Sequence, residues 1–161
     1  MSEKKHILSI LVDNEPGVLS RIAGLFSGRG YNIESLSVAP TNEAAVSRVT
    51  MVTVADEEIM EQIKKQLHKL INVITVQDLT GSNFIQRELA LIKVNAKSDN
   101  REEILRIVNI FRYKIVDVAS DSYIIQATAK GDKLDAFIKL LTPMGIKEIV
   151  KTGSIALYRG N

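Results

Sequence analysis

The sequence predicts an α+β chain made of two tandem βαββαβ units. Three observations carry that prediction. Apolar residues recur at two periods, in short β-branched runs and at spacings of three and four over longer stretches. The order in which these periods occur in the first half returns in the second. A short turn-like stretch, "TGSNF" at 80–84, lies between the copies. The first unit is placed at 1–79 and the second at 85–161.

In the first copy, "KHILSILV" (5–12) reads as a strand and 16–28 as a helix, with Val18, Leu19, Ile22, Leu25 and Phe26 on its apolar face. Pro16 suits a first helical turn, where its missing N–H costs nothing, and Gly28 and Gly30 end the helix. "NIESLSVAP" is a second strand stopped at Pro40, and "AAVSRVTMVTV" a third. The second helix opens near Asp56 with Asp56, Glu57 and Glu58 in its first turn, where the helix dipole favours anions. Ile59, Ile63, Leu67 and Leu70 form its inward side, and "NVITVQDL" is the fourth strand.

The second copy repeats the order. "RELALIKVN" is a strand, followed by the helix "REEILRIVNIFR" with Ile104, Ile107, Val108 and Phe111 inward. "KIVDVAS" and "SYIIQATAK" make a hairpin turning at "SDS" (120–122). "DKLDAFIKLLTPMG" is a helix with Leu134, Phe137, Ile138 and Leu141 inward, broken by Pro143 and Gly145, and "IKEIVKTG" closes as a strand. Each unit is a ferredoxin-like split βαβ arrangement. Helices on one face of such a sheet leave the other face and the edges open, so pairing of two chains through their sheets is expected.

Composition narrows the function. The 161 residues are 45% hydrophobic and 25% charged, with a net charge of +2 and interspersed signs. Aromatics are only 5% and Trp is missing, which argues against nucleic acid as the partner, since that would draw on a basic stripe and stacking rings. No apolar run approaches the roughly 20 residues that cross a bilayer, and the N-terminus lacks a cleavable apolar leader. With no cysteines, disulfides, thiolate metal sites and cysteine nucleophiles are all excluded. A cytoplasmic location is the expectation.

The two halves differ where each first strand meets its helix. The first has "DNEPGVL"; the second has "AKSDNREEIL", with acids and no Pro-Gly. At a helix N-terminus the leading N–H groups lack intrahelical partners and the dipole is positive, so a carboxylate fits there. Gly17 lets a ligand approach the backbone, and Val18 and Leu19 follow with N–H donors. Asn14 and Asn32 each offer a donor and an acceptor, suited to a carboxylate or an ammonium group. Taken alone, these residues are accounted for at least as well by local turn chemistry, because Pro, Gly and Asn all favour turns.

The longer pattern shifts that balance. "DNEPGVLSRIAGLFSGRGYNIESLSVAPT", then "VSRVT" (46–50) and "QIKKQLHKLINVITV", resembles the regulatory small subunit of acetohydroxyacid synthase, also called acetolactate synthase. "FSGRGYNIESL" with "VAPT" is the specific part. "DNEPGVL" alone says only ACT domain, a ligand-sensing module, and makes the first unit one. "NIFRYKIVDV" and "KLDAFIKLL" extend the likeness into the second half.

The resemblance implies a chain without an active site. It implies as partner a catalytic large subunit that carries thiamine diphosphate, Mg²⁺ and FAD, with no cofactor in this chain. That subunit condenses two pyruvates, or pyruvate with 2-oxobutyrate. The small subunit raises its activity and confers feedback inhibition by branched-chain amino acids, valine foremost. In the family the effector sits between the ACT domains of two chains, which implies a homodimer. Its contacts fall here on Asn14, Gly17, Val18, Leu19, Asn32 and Ile33. Pro16 stands where several relatives have a small polar residue, at a place that needs no N–H. The first half is expected to bind the effector, and the second to add contacts or pass the state on to the catalytic chain. The loop "APTNEAA" (39–45) is a candidate docking element, and equally a plain hairpin loop.

Two other readings are weaker. An independent enzyme would need a constellation that is missing: His6 and His68 have no metal-ligand spacing, and "GLFSGRG" (24–30) ends a helix where a dinucleotide fingerprint would begin one. A freestanding ACT sensor acting on another metabolic enzyme or a transcription factor shares the turn, but does not explain the whole-chain likeness.

Overall fold

The structure is a computed structural model that describes residues 2–160. Among these, nine strands and four helices follow the expected order, with one strand more than the sequence suggested. The chain divides into two compact units. One holds the residues up to Ile85 together with those from Ser154 onward; the other is Gln86–Gly153. The last segment, which the sequence reading left in the second half, therefore goes with the first.

In the first unit β1 (Lys4–Asp13), β2 (Ile33–Pro40), β3 (Val46–Ala55) and β4 (Val73–Asp78) form an antiparallel sheet in the order β2-β3-β1-β4. Strands β2 and β4 are its edges. Helix α1 (Val18–Gly28) turns Val18, Ile22, Leu25 and Phe26 inward at spacings of four, three and one. These meet Leu8, Ile10 and Val12 of β1, Val49 and Met51 of β3, and Met60, Ile63 and Leu67 of α2 (Glu57–His68). Met60 takes an inward place expected for Ile59, and Ile59 and Leu70 pack at the margin. Asp56 caps α2, its Oδ1 accepting the Ile59 N–H at 2.8 Å. Tyr31 closes the end of α1, its N–H donating to Phe26 O at 3.0 Å after Gly30 turns the chain at φ 71°.

The second unit repeats the plan. Its sheet runs β6 (Lys114–Val118), β7 (Ser122–Ala129), β5 (Phe84–Asn95), β8 (Ile146–Lys151). Ile104, Ile107 and Val108 of α3 (Arg101–Phe111) and Leu134, Phe137 and Leu141 of α4 (Gly131–Leu141) pack on Ala90, Ile92, Val94, Tyr123 and Ile125. A 3₁₀ turn at Thr142–Met144 ends α4 where Pro143 and Gly145 were expected to break it.

Strand β9 (Ile155–Tyr158) was not anticipated. Just after it, Arg159 N–H donates to Asn83 O of the same unit at 2.9 Å. Ala156 packs with Ile7, Val52, Leu79 and Phe84. Ile7 and Val52 are paired residues on the side of the first sheet opposite the helices, so the face expected to lie open is partly covered by the chain itself. This accounts for the near-continuous burial of β1, where alternation would be the norm for a sheet with one wet face.

Candidate functional site

The turn between β1 and α1 is built from both ends. Asn14 is fixed to the β2–β3 loop: its N–H donates to Ala45 O at 2.8 Å and its Nδ2 to Ala44 O at 2.9 Å. That leaves the exposed Asn14 Oδ1 as a spare acceptor. Helix α1 starts at Val18 and not at Pro16, which lies in the turn before it. The cause is Gly17. It holds the N-cap position at φ 86°, in the left-handed region that favours glycine. A Cβ at Gly17 would meet nothing within 4 Å, so the space over it is open.

The start of α1 lacks the acidic first-turn residues of the other helices. Gly17 offers no side-chain cap and the first turn holds no acid. Helix α2 has the Asp56 cap and two acids, α3 has Glu102 and Glu103, and α4 has Asp132. Val18 N–H reaches only Glu15 O, at 3.5 Å, and the N–H groups of Leu19 and Ser20 lie at the helix start without intrahelical acceptors, the first regular bond being Arg21 N–H to Gly17 O at 3.1 Å. Val18 is buried as a core anchor, whereas Leu19 is 42% exposed beside the turn.

The structure does not bring all the sequence-predicted residues together. Asn14 lies at the Val46 end of β3, and Asn32 at the opposite end, where its carbonyl accepts the Thr53 hydroxyl at 2.6 Å. Seven residues of extended strand separate Val46 from Thr53, about 23 Å at the usual rise. Asn14, Gly17, Val18 and Leu19 therefore form one group; Asn32, exposed, and Ile33, half-buried against the core, form another at the far end.

Asn72, absent from the sequence-based set, sits at the Asn14 end. It is 9% exposed and its side chain contacts Asp13, Glu15 and Arg21. The only hint in the sequence is an Asn between apolar residues at a helix-to-strand turn. Of the histidines, His6 is buried with Nδ1 2.9 Å from Asp78 Oδ2, and His68 is exposed. Among the described residues no cluster of His, Cys, Asp or Glu has the geometry to hold a metal ion, and no helix is long and apolar enough to span a membrane.

Fold and turn together define a protein of the ACT-domain class, with a second ferredoxin-like unit following the first in sequence. Residues 8–75 match the small subunit-like ACT domain of acetohydroxyacid synthase, and residues 87–160 match the small subunit of acetolactate synthase. The chain belongs to the acetolactate synthase small-subunit family. It is 50% identical over 157 residues to a probable acetolactate synthase small subunit of Archaeoglobus fulgidus, covering 98% of each chain. It is 48% identical over 158 residues to the isozyme 3 small subunit of Salmonella typhimurium, covering 98% of this chain and 97% of that one. The crystal structure of the acetolactate synthase small subunit from Thermotoga maritima superposes with a TM-score of 0.89 at 39% identity, over 98% of this chain and 99% of that chain.

Proposed function

We propose that this chain activates a catalytic acetolactate synthase subunit and makes it sensitive to feedback by a branched-chain amino acid, with valine as the preferred effector. The thiamine diphosphate, Mg²⁺ and FAD of the reaction belong to the catalytic subunit. The effector binds at the start of α1. Its carboxylate takes the N–H groups that follow Gly17, where the helix dipole is positive. Its ammonium group takes side-chain oxygens such as Asn14 Oδ1. Leu19, exposed beside the turn, suits an aliphatic side chain.

The observation that carries the reading is the separation of Asn14 and Asn32 along β3. A free amino acid is far too short to touch both in one chain. Two chains resolve this. Strand β2 is an edge, and two β2 edges paired antiparallel about a two-fold axis set the Asn32 end of one beside the Pro40 end of the other. The Pro40 end leads into the loop that holds Asn14. The homodimer then has two equivalent sites, each using Asn14, Gly17, Val18 and Leu19 from one chain and Asn32 with Ile33 from its partner. An effector shared in this way favours one arrangement of the two chains over another, and its differential affinity sets the regulatory effect.

The test is reconstitution with the catalytic subunit, following pyruvate consumption with and without valine. Activation by this chain together with inhibition by valine is expected. A catalytic subunit indifferent to this chain would overturn the proposal in favour of a freestanding ACT sensor.

A further inference from the structure

We infer that Asn72 is the positioning residue of the effector turn, a role that rests on the site proposed above. Asn72 lies between α2 and β4, outside the turn in sequence but fastened to it at four points. Its carbonyl accepts the Asp13 N–H at 2.9 Å. Its Nδ2 lies 3.2 Å from Asp13 Oδ2 and 3.3 Å from Glu15 Oε2. Its Oδ1 accepts from the Arg21 guanidinium, which stands on the first turn of α1.

The arrangement is suited to Asn and to little else. Asp13 and Glu15 precede the Pro16–Gly17 corner and Arg21 follows it, so one side chain ties the entry of the corner to its exit. The entry presents carboxylates and needs a donor; the exit presents a guanidinium and needs an acceptor. A carboxamide has both, on one carbon. These bonds join charged partners to a side chain that is 9% exposed, which makes them stronger than their surface equivalents. Within the corner itself the tie is weak: Val18 N–H reaches Glu15 O only at 3.5 Å, Gly17 has no side chain and Pro16 no N–H. Asn72 fixes the direction of the α1 N–H groups relative to Asn14, and so holds the two halves of the ligand's polar environment at one spacing.

The experiment is calorimetry of valine with the full chain, run well below the melting midpoint of each variant so that stability does not enter. Asn72→Leu keeps the branched shape and removes every side-chain bond; valine affinity is expected to fall by about tenfold or more. Asn72→Gln keeps both the donor for the carboxylates and the acceptor for Arg21 on a longer stem, and is expected to bind at least several-fold more tightly than the Leu variant. Should Asn72→Leu fail to fold, Arg21→Met at an exposed position breaks the same tie from the other side, and a fall in affinity is again expected. Wild-type affinity in Asn72→Leu or in Arg21→Met, or equal affinity in the Leu and Gln variants, would overturn the inference. A wild-type chain that does not bind valine would instead count against the effector site itself.

Discussion

Gly17 separates backbone strain from ligand electrostatics, because two substitutions share the first and differ in the second. At φ 86° any residue with a Cβ sits in the left-handed region, at a cost of about 1–2 kcal/mol. The Cβ itself meets nothing within 4 Å, so no clash adds to that cost. Reduced freedom in the unfolded chain returns roughly 0.4–1 kcal/mol. Gly17→Ala should therefore lose about 1 kcal/mol, a fall in midpoint of about 4–8 °C for a unit of this size, and Gly17→Asp less, because a carboxylate at a helix start is itself favourable. Only the Asp variant puts a negative charge where the effector carboxylate is proposed to bind. Two like charges about 4 Å apart repel by about 1 kcal/mol in water and by about 4 kcal/mol at the effective dielectric of a protein surface. Valine affinity should thus be at least about fivefold weaker in Gly17→Asp than in Gly17→Ala, and the Asp variant should still activate the catalytic subunit while no longer conferring valine inhibition. Urea denaturation reads the strain, and calorimetry with inhibition curves reads the charge. Equal valine affinity in the two variants would refute the assignment of a carboxylate to this helix start.

Other predictions concern the scaffold. Asp56→Ala removes the α2 cap and should lower stability by about 1 kcal/mol in urea denaturation, with valine binding retained; an unchanged midpoint would mean the cap is redundant. Tyr113 packs its ring on Phe111 and Phe137 while its hydroxyl is buried without a hydrogen-bond partner. Tyr113→Phe should be neutral or stabilising by up to about 1–2 kcal/mol, where a loss would show a bond not evident in the fold. Burial also pushes the Tyr113 phenol above its ordinary value of 10.0. The folded chain then keeps this proton where the unfolded chain gives it up, so the contribution is intact below pH 10 and is lost as pH rises beyond it. The Phe variant should show a shallower alkaline decline in stability than the wild type.

Sequence reading reached the fold by period and order. Val18, Ile22, Leu25 and Phe26 announce α1, and the Asp56 cap with Glu57 and Glu58 announces α2. What it missed has local causes. Strand β9 is four residues long with a single inward side chain, Ala156, too little to generate an alternation. The start of α1 was misplaced because Pro at N1 is a sound rule, but a left-handed Gly17 postponed the helix past it. Met60 displaced Ile59 because an amphipathic stripe allows either residue, and the packing on β1 and β3 decides. The polar residues of the candidate site were legible as types. Their division into two groups was not, since it depends on the register that puts Asn14 near Val46 and Asn32 near Thr53. Asn72 was illegible for a similar reason, as its partners are 51 to 59 residues away in sequence.

The shared site is tested most directly by mixing two variants that are each unable to bind. Asn14→Ala and Asn32→Ala chains, unfolded together and refolded as a mixture, form mixed dimers in which one site carries both substitutions and the other carries neither. Neither variant alone should bind valine measurably, and the mixture should recover about a quarter of the wild-type sites at wild-type affinity. If the mixture recovers no binding while both variants dimerise normally, the effector does not lie between Asn14 of one chain and Asn32 of the other.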